Sequence, residues 1–297
     1  MKRLFKNNSP RSSSFGVIGN LTVSILCLST LAGCHGGDGG PAASPLPFSS
    51  TPRGVFKSMA TLDATERAAL VQEDYKKCKD ADGKSLPNKI DERIVQGQVY
   101  SFESQSLSSR QTLYSWNTDK TILAVTSNSI SKRDTTTVKT QNGFSETYSV
   151  DYSCKLADSN TTSLTCEYPK SPSQSQDSSI ALLYPNQSKS DEGEYCDLEN
   201  TDSSQVTTVY EKGTFTFSDG KTVAALKETS KTVGQVKCGS KKIGSGESEY
   251  IAIETNELPS LDSAYCPGSL NLFRYQIIKT DGGMVKNYSR SEFTGVK

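Results

Sequence analysis

Thr135-Thr136-Thr137-Val138-Lys139-Thr140-Gln141-Asn142-Gly143-Phe144-Ser145-Glu146-Thr147-Tyr148-Ser149-Val150 decides the fold class. Runs rich in β-branched and aromatic residues flank Asn142-Gly143. Asn-Gly accepts the positive φ angles of a tight two-residue turn, so the stretch reads as a β-hairpin. The same texture continues outward from residue 90 to the end of the chain. Asp219-Gly220 and Asp281-Gly282-Gly283 supply further turns. Strands are expected at 94–103, 110–117, 120–127, 133–141, 144–153, 162–168, 205–211, 213–218, 221–229, 231–237, 247–254, 269–279 and 284–290. Pro169, Pro172 and Pro185, with a Ser/Gln run between them, mark 171–195 as a linker or long loop around one short strand at 180–184. A single helix precedes the strands. Asp63 and Glu66 form a capping box, Ala64, Ala68, Val71, Tyr75 and Cys78 recur at helical spacing, and Asp82-Gly83 ends it. The chain reads as mainly β with one N-terminal α-helix. The strands form an antiparallel meander that makes a curled sheet or barrel, or else two similar β lobes over 54–170 and 196–297.

The N-terminus has a different character. Lys2, Arg3, Lys6 and Arg11 precede an apolar stretch from Phe15 to Leu31, and Leu31-Ala32-Gly33-Cys34 closes it. The layout is that of a secretory signal, too short and too polar for a spanning helix. Leu31-Ala32-Gly33-Cys34 resembles the lipobox of bacterial lipoproteins. The resemblance covers residues 1–34 and is silent on activity. It implies cleavage between Gly33 and Cys34, and lipidation of Cys34 with thioether-linked diacylglycerol and an acyl chain such as palmitate. It also implies a place in the bacterial cell envelope, anchored to a membrane. His35 stands where an Asp would favour inner-membrane retention in that family, so the resemblance points to the outer membrane. Residues 1–33 are then the signal peptide, and 34–53, rich in Gly, Pro, Ala and Ser, a flexible tether.

The precursor carries 33 basic and 33 acidic residues, and four of the basic ones lie in the signal segment. From Cys34 onward the net charge is −4, which offers no basic face for nucleic acid. Of eight cysteines, Cys27 leaves with the signal and Cys34 takes lipid. Cys78, Cys154, Cys166, Cys196, Cys238 and Cys266 remain, an even number that fits three disulfides in an exported chain. A faint internal repeat pairs Gly97–Phe102 with Gly213–Phe217, and Lys120-Thr121-Ile122 with Lys231-Thr232-Val233. It aligns Cys78 with Cys196 and Cys154 with Cys266, and so suggests bridges 78–154, 196–266 and 166–238. The local alternative is 154–166, among fifteen possible connectivities.

Catalytic and metal patterns are sparse. His35, the lone histidine, lies in the tether, which removes Ser-His-Asp, Cys-His and His-based zinc chemistry from the folded region. Ser129–Lys132 and Ser218–Lys221 match Ser-x-x-Lys but fall on strand and turn rather than helix. Asp80-Ala81-Asp82-Gly83 lacks the key carboxylates of a calcium loop and reads as a polar helix exit. The acidic run Asp191, Glu192, Glu194, Asp197, Glu199 and Asp202 reads as a solvated loop. Tyr100, Tyr114 and Trp116 either line a pocket or fill a sheet core. No metal or cofactor is expected. The reading is a membrane-anchored envelope lipoprotein, a non-catalytic binding or structural module with an envelope protein or a small apolar ligand as partner. The alternatives are a carrier of lipid in a β cavity, or an envelope hydrolase with two acidic side chains facing each other in a cleft.

Overall fold

The computed structural model describes residues 48–86, 88–107, 113–140, 143, 145–156, 164–168, 196–199, 204–261 and 268–297. The signal segment, Cys34, the expected strand at 180–184 and Cys266 lie outside them. In chain order the elements are β1 (Val55–Leu62), α1 (Ala64–Lys76), β2 (Val99–Leu107), β3 (Leu113–Val125), β4 (Ser129–Thr140), β5 (Ser145–Leu156), β6 (Leu164–Glu167) and β7 (Cys196–Glu199). They continue with β8 (Gln205–Thr216), β9 (Thr222–Cys238), β10 (Lys241–Thr255), β11 (Leu270–Thr280) and β12 (Val285–Val296).

All strands belong to one antiparallel sheet in the order β1-β8-β9-β10-β11-β12-β2-β3-β4-β5-β6, with β7 added beside the end of β9. Two meanders, β2 to β6 and β8 to β12, are therefore fused through the β12–β2 ladder rather than set apart as separate sheets. The sheet is curled but not closed, since β1 and β6 are its edges. The curl shows in the core. Phe217, at the end of β8, and Phe293 on β12 are four strands apart in the sheet order, yet their rings meet edge to face at 5.9 Å. Phe293 also packs on Phe102 at 5.4 Å, which carries the aromatic core across the fusion. A buried aromatic ring contributes about 1.5–3 kcal/mol, so this cluster is what holds the roll.

Several expected strands merge. The breaks at 118–119, 212 and 230 do not occur, and β3, β8 and β9 run straight through. The polar residues that suggested breaks are instead rungs of cross-strand hydroxyl pairs. Thr118 meets Thr136 at 3.0 Å, and Thr208 meets Ser230 at 3.2 Å. Such pairs fit a half-exposed pleated surface and contribute about 0.2–1 kcal/mol each. The strands β1 and β7 were missed. The first is an edge strand without clean alternation, and the second is four residues long.

The turns also shift. Lys139 opposite Ser145 sets the β4–β5 register for a loop of odd length around Gly143, not the expected two-residue one. Ser218-Asp219-Gly220 and Asp281-Gly282-Gly283 are three-residue loops whose last glycine takes φ of 86° and 78°, a conformation that side chains resist.

The capping box forms as expected. Asp63 Oδ1 accepts from the Thr65 and Glu66 amides, and Glu66 Oε2 from the Asp63 amide. The expected apolar stripe is corrected. Ala64 and Ala68 are exposed, and the half-buried helix positions are Arg67, Leu70, Val71 and Asp74, with Cys78 half-buried just beyond the helix. Polar contacts dock it, because Arg67 pairs with Glu254 and Asp74 accepts from Asn256 Nδ2. The helix ends at Lys76, before Asp82-Gly83. Asp80 then caps its own turn, accepting from the amides of Asp82 and Lys84.

The bridges suggested by the repeat are overturned. Cys154 is bonded to Cys166 and Cys196 to Cys238, and each pair consists of direct cross-strand neighbours with Cα atoms 3.9 Å apart. The local alternative 154–166 is the one the fold uses. No helix among the described residues is long and apolar enough to cross a membrane.

Candidate functional site

Two places on the roll concentrate unusual chemistry. The first is where the N-terminal segment meets the domain. Phe48 packs against Tyr288 of β12 with ring centroids 4.6 Å apart. Glu292, 3% exposed, accepts the Arg53 amide at 2.7 Å and the Gly54 amide at 3.3 Å. Arg290 completes the arrangement, donating to Glu292 Oε2 at 2.5 Å and to the Thr51 carbonyl at 3.4 Å. A buried carboxylate needs such partners to offset its desolvation. The segment 48–54 is thus strapped across the sheet, and the Arg53 guanidinium adds an ion pair to Glu103 on β2.

The second place is a hollow of about 80 Å³ between α1 and the sheet. Its floor follows from register. Directly opposed residues share a face, so Tyr210, Glu228, Ala252 and Arg274 form one row across β8, β9, β10 and β11. Ala252 is the small member, and Glu228 and Arg274 stand on either side of the gap it leaves. The next row brings Leu226, Glu254 and Asn271 together. From the helix, Arg67 roofs the hollow, bonding Glu254 at 3.2 Å and lying 5.7 Å from the centre of the Tyr210 ring.

The electrostatics are uneven. Burial pushes the Glu228 carboxyl above the usual range; Arg67 and Arg274 oppose that shift and Glu254 adds to it. Glu228 makes no hydrogen bond or ion pair among the described residues. Arg67 Nε is buried without an acceptor. Arg274 is oriented by Asn271, which accepts from its Nε at 2.8 Å. Two carboxylates therefore do share a cleft, but Glu254 is committed to the Arg67 guanidinium, a poor arrangement for a general base. The polar lining does not suit an apolar ligand either.

The residues singled out from sequence fall elsewhere. Tyr100 is core, 1% exposed, with its phenol pushed up to about 12 by burial; Tyr114 and Trp116 are half-buried on β3. Lys132 is buried in strand β4, with Nζ donating to the Leu261 carbonyl at 3.0 Å, far from the helix that a Ser-x-x-Lys acylase requires. Lys221 lies beyond a hairpin turn, its amide bonded to Asp219. Of the acidic run, Asp197 and Glu199 are described. Glu199 pairs with Lys242, whose hydrogen bond holds its carboxyl below the usual range. No group of three or more potential metal ligands occurs among the described residues.

Sequence reasoning missed Glu228, Ala252, Arg274 and Arg67. They lie on three strands and a helix, and nothing in their local spacing joins them before the register is known. Comparison with protein-family models, with curated proteins and with solved structures gives no match to this chain.

Proposed function

We propose that this protein is a lipid-anchored envelope lipoprotein whose β roll is a non-catalytic binding or structural module held close to the membrane surface.

 What supports the reading is the way the chain enters the fold. The strap at 48–54 fixes one point of departure on β12 through Phe48, Arg53 and Gly54. On this reading Cys34–Pro47 is the tether, and fourteen residues treated as a random coil reach roughly 20 Å. Two or more acyl chains on Cys34 give stable attachment, at about 0.8 kcal/mol per buried methylene. The strap's buried ion pair fixes where the chain leaves the roll, and the tether sets how far the roll stands from its anchor. The outer membrane is the proposed location, by the resemblance at residues 31–35. The test is metabolic labelling with palmitate in the native host, with and without globomycin. The expected result is a labelled mature protein, accumulation of precursor under globomycin, and loss of label in Cys34→Ser. Unchanged processing under the inhibitor, with no label at Cys34, overturns the proposal.

A further inference from the structure

We infer that the neighbouring tips of the β9–β10 and β11–β12 hairpins are the membrane-contacting end of the roll, with Ile243 and Met284 entering the headgroup region of the bilayer that holds the anchor. The inference rests on reading Cys34 as lipidated, and adds which end of the roll meets the lipid surface.

The two tips adjoin. Gly246 opposite Thr280 closes the β10–β11 ladder, and the Asp281 amide donates to the Ser245 carbonyl at 3.1 Å. The β9–β10 ladder continues past that point to Lys241 opposite Cys238, roughly 15 Å further along the strand. On this projecting part, Ile243 is the extra residue of the bulge between Lys242 and Gly244, and it is 43% exposed. A bulge re-aims a side chain away from the regular pleat. Met284 follows the turn at Asp281-Gly282-Gly283 and is 58% exposed. Single exposed apolar side chains, such as Val95 at the opposite end of the sheet, mean little by themselves. Ile243 and Met284 differ in standing at the extremities of two adjoining hairpins.

The strap supplies an independent observation. Followed from Gly54 back to Phe48, its partners on β12 run Glu292, Arg290, Tyr288, so the chain advances toward the turn that precedes Met284. Tyr288, beside Phe48, lies about 13 Å along β12 from Met284. With Cys34 in the bilayer and a random-coil reach of roughly 20 Å before Phe48, this end of the sheet is the one held near the lipid. A flexible coil does not orient the roll. It raises the effective concentration of the tips at the surface, where a weak contact then persists. Lys237, Lys241, Lys242, Lys279 and Lys286 flank the tips, with acidic residues interleaved, among them Glu199, which pairs with Lys242. Lysine stems cover apolar surface while their ammonium groups reach polar headgroups. The interleaved acids keep the net charge of this end small, so the two apolar side chains dominate the contact and salt weakens it little.

The experiment holds the mature chain, from residue 34 to 297, on vesicles of phosphatidylethanolamine and phosphatidylglycerol by an N-terminal polyhistidine tag and a nickel-chelating lipid. Chelation replaces the native acyl chains, so the readout is independent of lipidation at Cys34. Met284→Trp, Ile243→Trp and, at the opposite end, Val95→Trp are compared with the parent, whose lone tryptophan is Trp116. Brominated acyl chains are expected to quench at least about a third of the fluorescence added at positions 284 and 243, and little of that added at 95. No quenching at 284 and 243, or equal quenching at 95, overturns the inference. Hydrogen exchange of the parent is the second measurement, and it decides alone if a variant lowers the melting temperature. Vesicles are expected to slow exchange about threefold or more at 239–245 and 281–286 in the parent, and to leave it unchanged in Met284→Asp. Equal protection of these segments without vesicles, at concentrations where the chain dimerises, assigns the tips to a second copy and overturns the inference. Protein from the host that lacks lipid at Cys34 overturns the anchor proposal and leaves the tip measurement as it stands.

Discussion

At the scale of the residue, the fold invests its buried charge in the strap. Glu292 is held by two backbone amides and by Arg290, and it is almost fully buried. Glu292→Ala leaves Arg290 buried and unpaired, and is expected to destabilise the domain by about 3–5 kcal/mol in urea unfolding. Gly54 is constrained by close approach. A Cβ there would lie 2.3 Å from Phe215 Cζ and 2.8 Å from the Thr216 carbonyl oxygen. Gly54→Ala is expected to cost roughly 1–3 kcal/mol by the same measurement, through displacement of the strap. Glu228 gives a pH signature of its own. Its carboxyl is raised in the folded state, so its contribution to stability is fully present below the unfolded value near 4.5 and is lost as pH rises through the folded one. The groups around it are Arg67 from α1, Tyr210 from β8, Tyr250 and Glu254 from β10, and Arg274 from β11. Glu228→Gln is expected to be more stable than the parent at neutral pH and to lose that advantage on acidification, read from melting temperatures across pH 4–8. A parent and variant that stay parallel over this range contradict the assignment.

At the scale of the element, hairpin chemistry was legible and pairing was not. Asp219-Gly220 and Asp281-Gly282-Gly283 gave turns because their glycines accept positive φ. The joining of 110–117 with 120–127 into β3 was hidden, because Asn117-Thr118-Asp119 carries turn-like residues whose partners lie on other strands. Asp119 accepts from Ser101 of β2, and Thr118 faces Thr136 of β4. The capping box was readable because both partners are local, whereas the docking face of α1 depends on Glu254 and Asn256, nearly two hundred residues away. Cysteines follow the same rule. Their even count was visible, and their partners became visible only with the β5–β6 and β7–β9 registers. Replacing Cys154 and Cys166 together is expected to cost about 3 kcal/mol, and replacing Cys196 and Cys238 about 4, since the second closes the longer loop. With those four paired, three bridges require Cys78 with Cys266. Peptide mapping of the unreduced protein is expected to find that pair, and alkylation of either cysteine before reduction would contradict it.

At the scale of the whole molecule, the parts form one arrangement. A curled open sheet carries the strap 48–54 on β12 and a charged hollow under α1. The general class, mainly antiparallel β with one helix, was readable from texture and turns. The single continuous sheet was not, because the β12–β2 ladder joins residues nearly two hundred apart. The hollow was equally hidden, since the floor residue Ala252 has meaning only between Glu228 and Arg274. The anchor belongs to the opposite case, resting wholly on sequence in residues 1–34. Its most direct test is the mass of the N-terminal peptide of mature protein isolated from host membranes. The account predicts a peptide that begins at Cys34 and carries a diacylglyceryl group and an acyl chain. A peptide that begins elsewhere, or an unmodified Cys34, would contradict it.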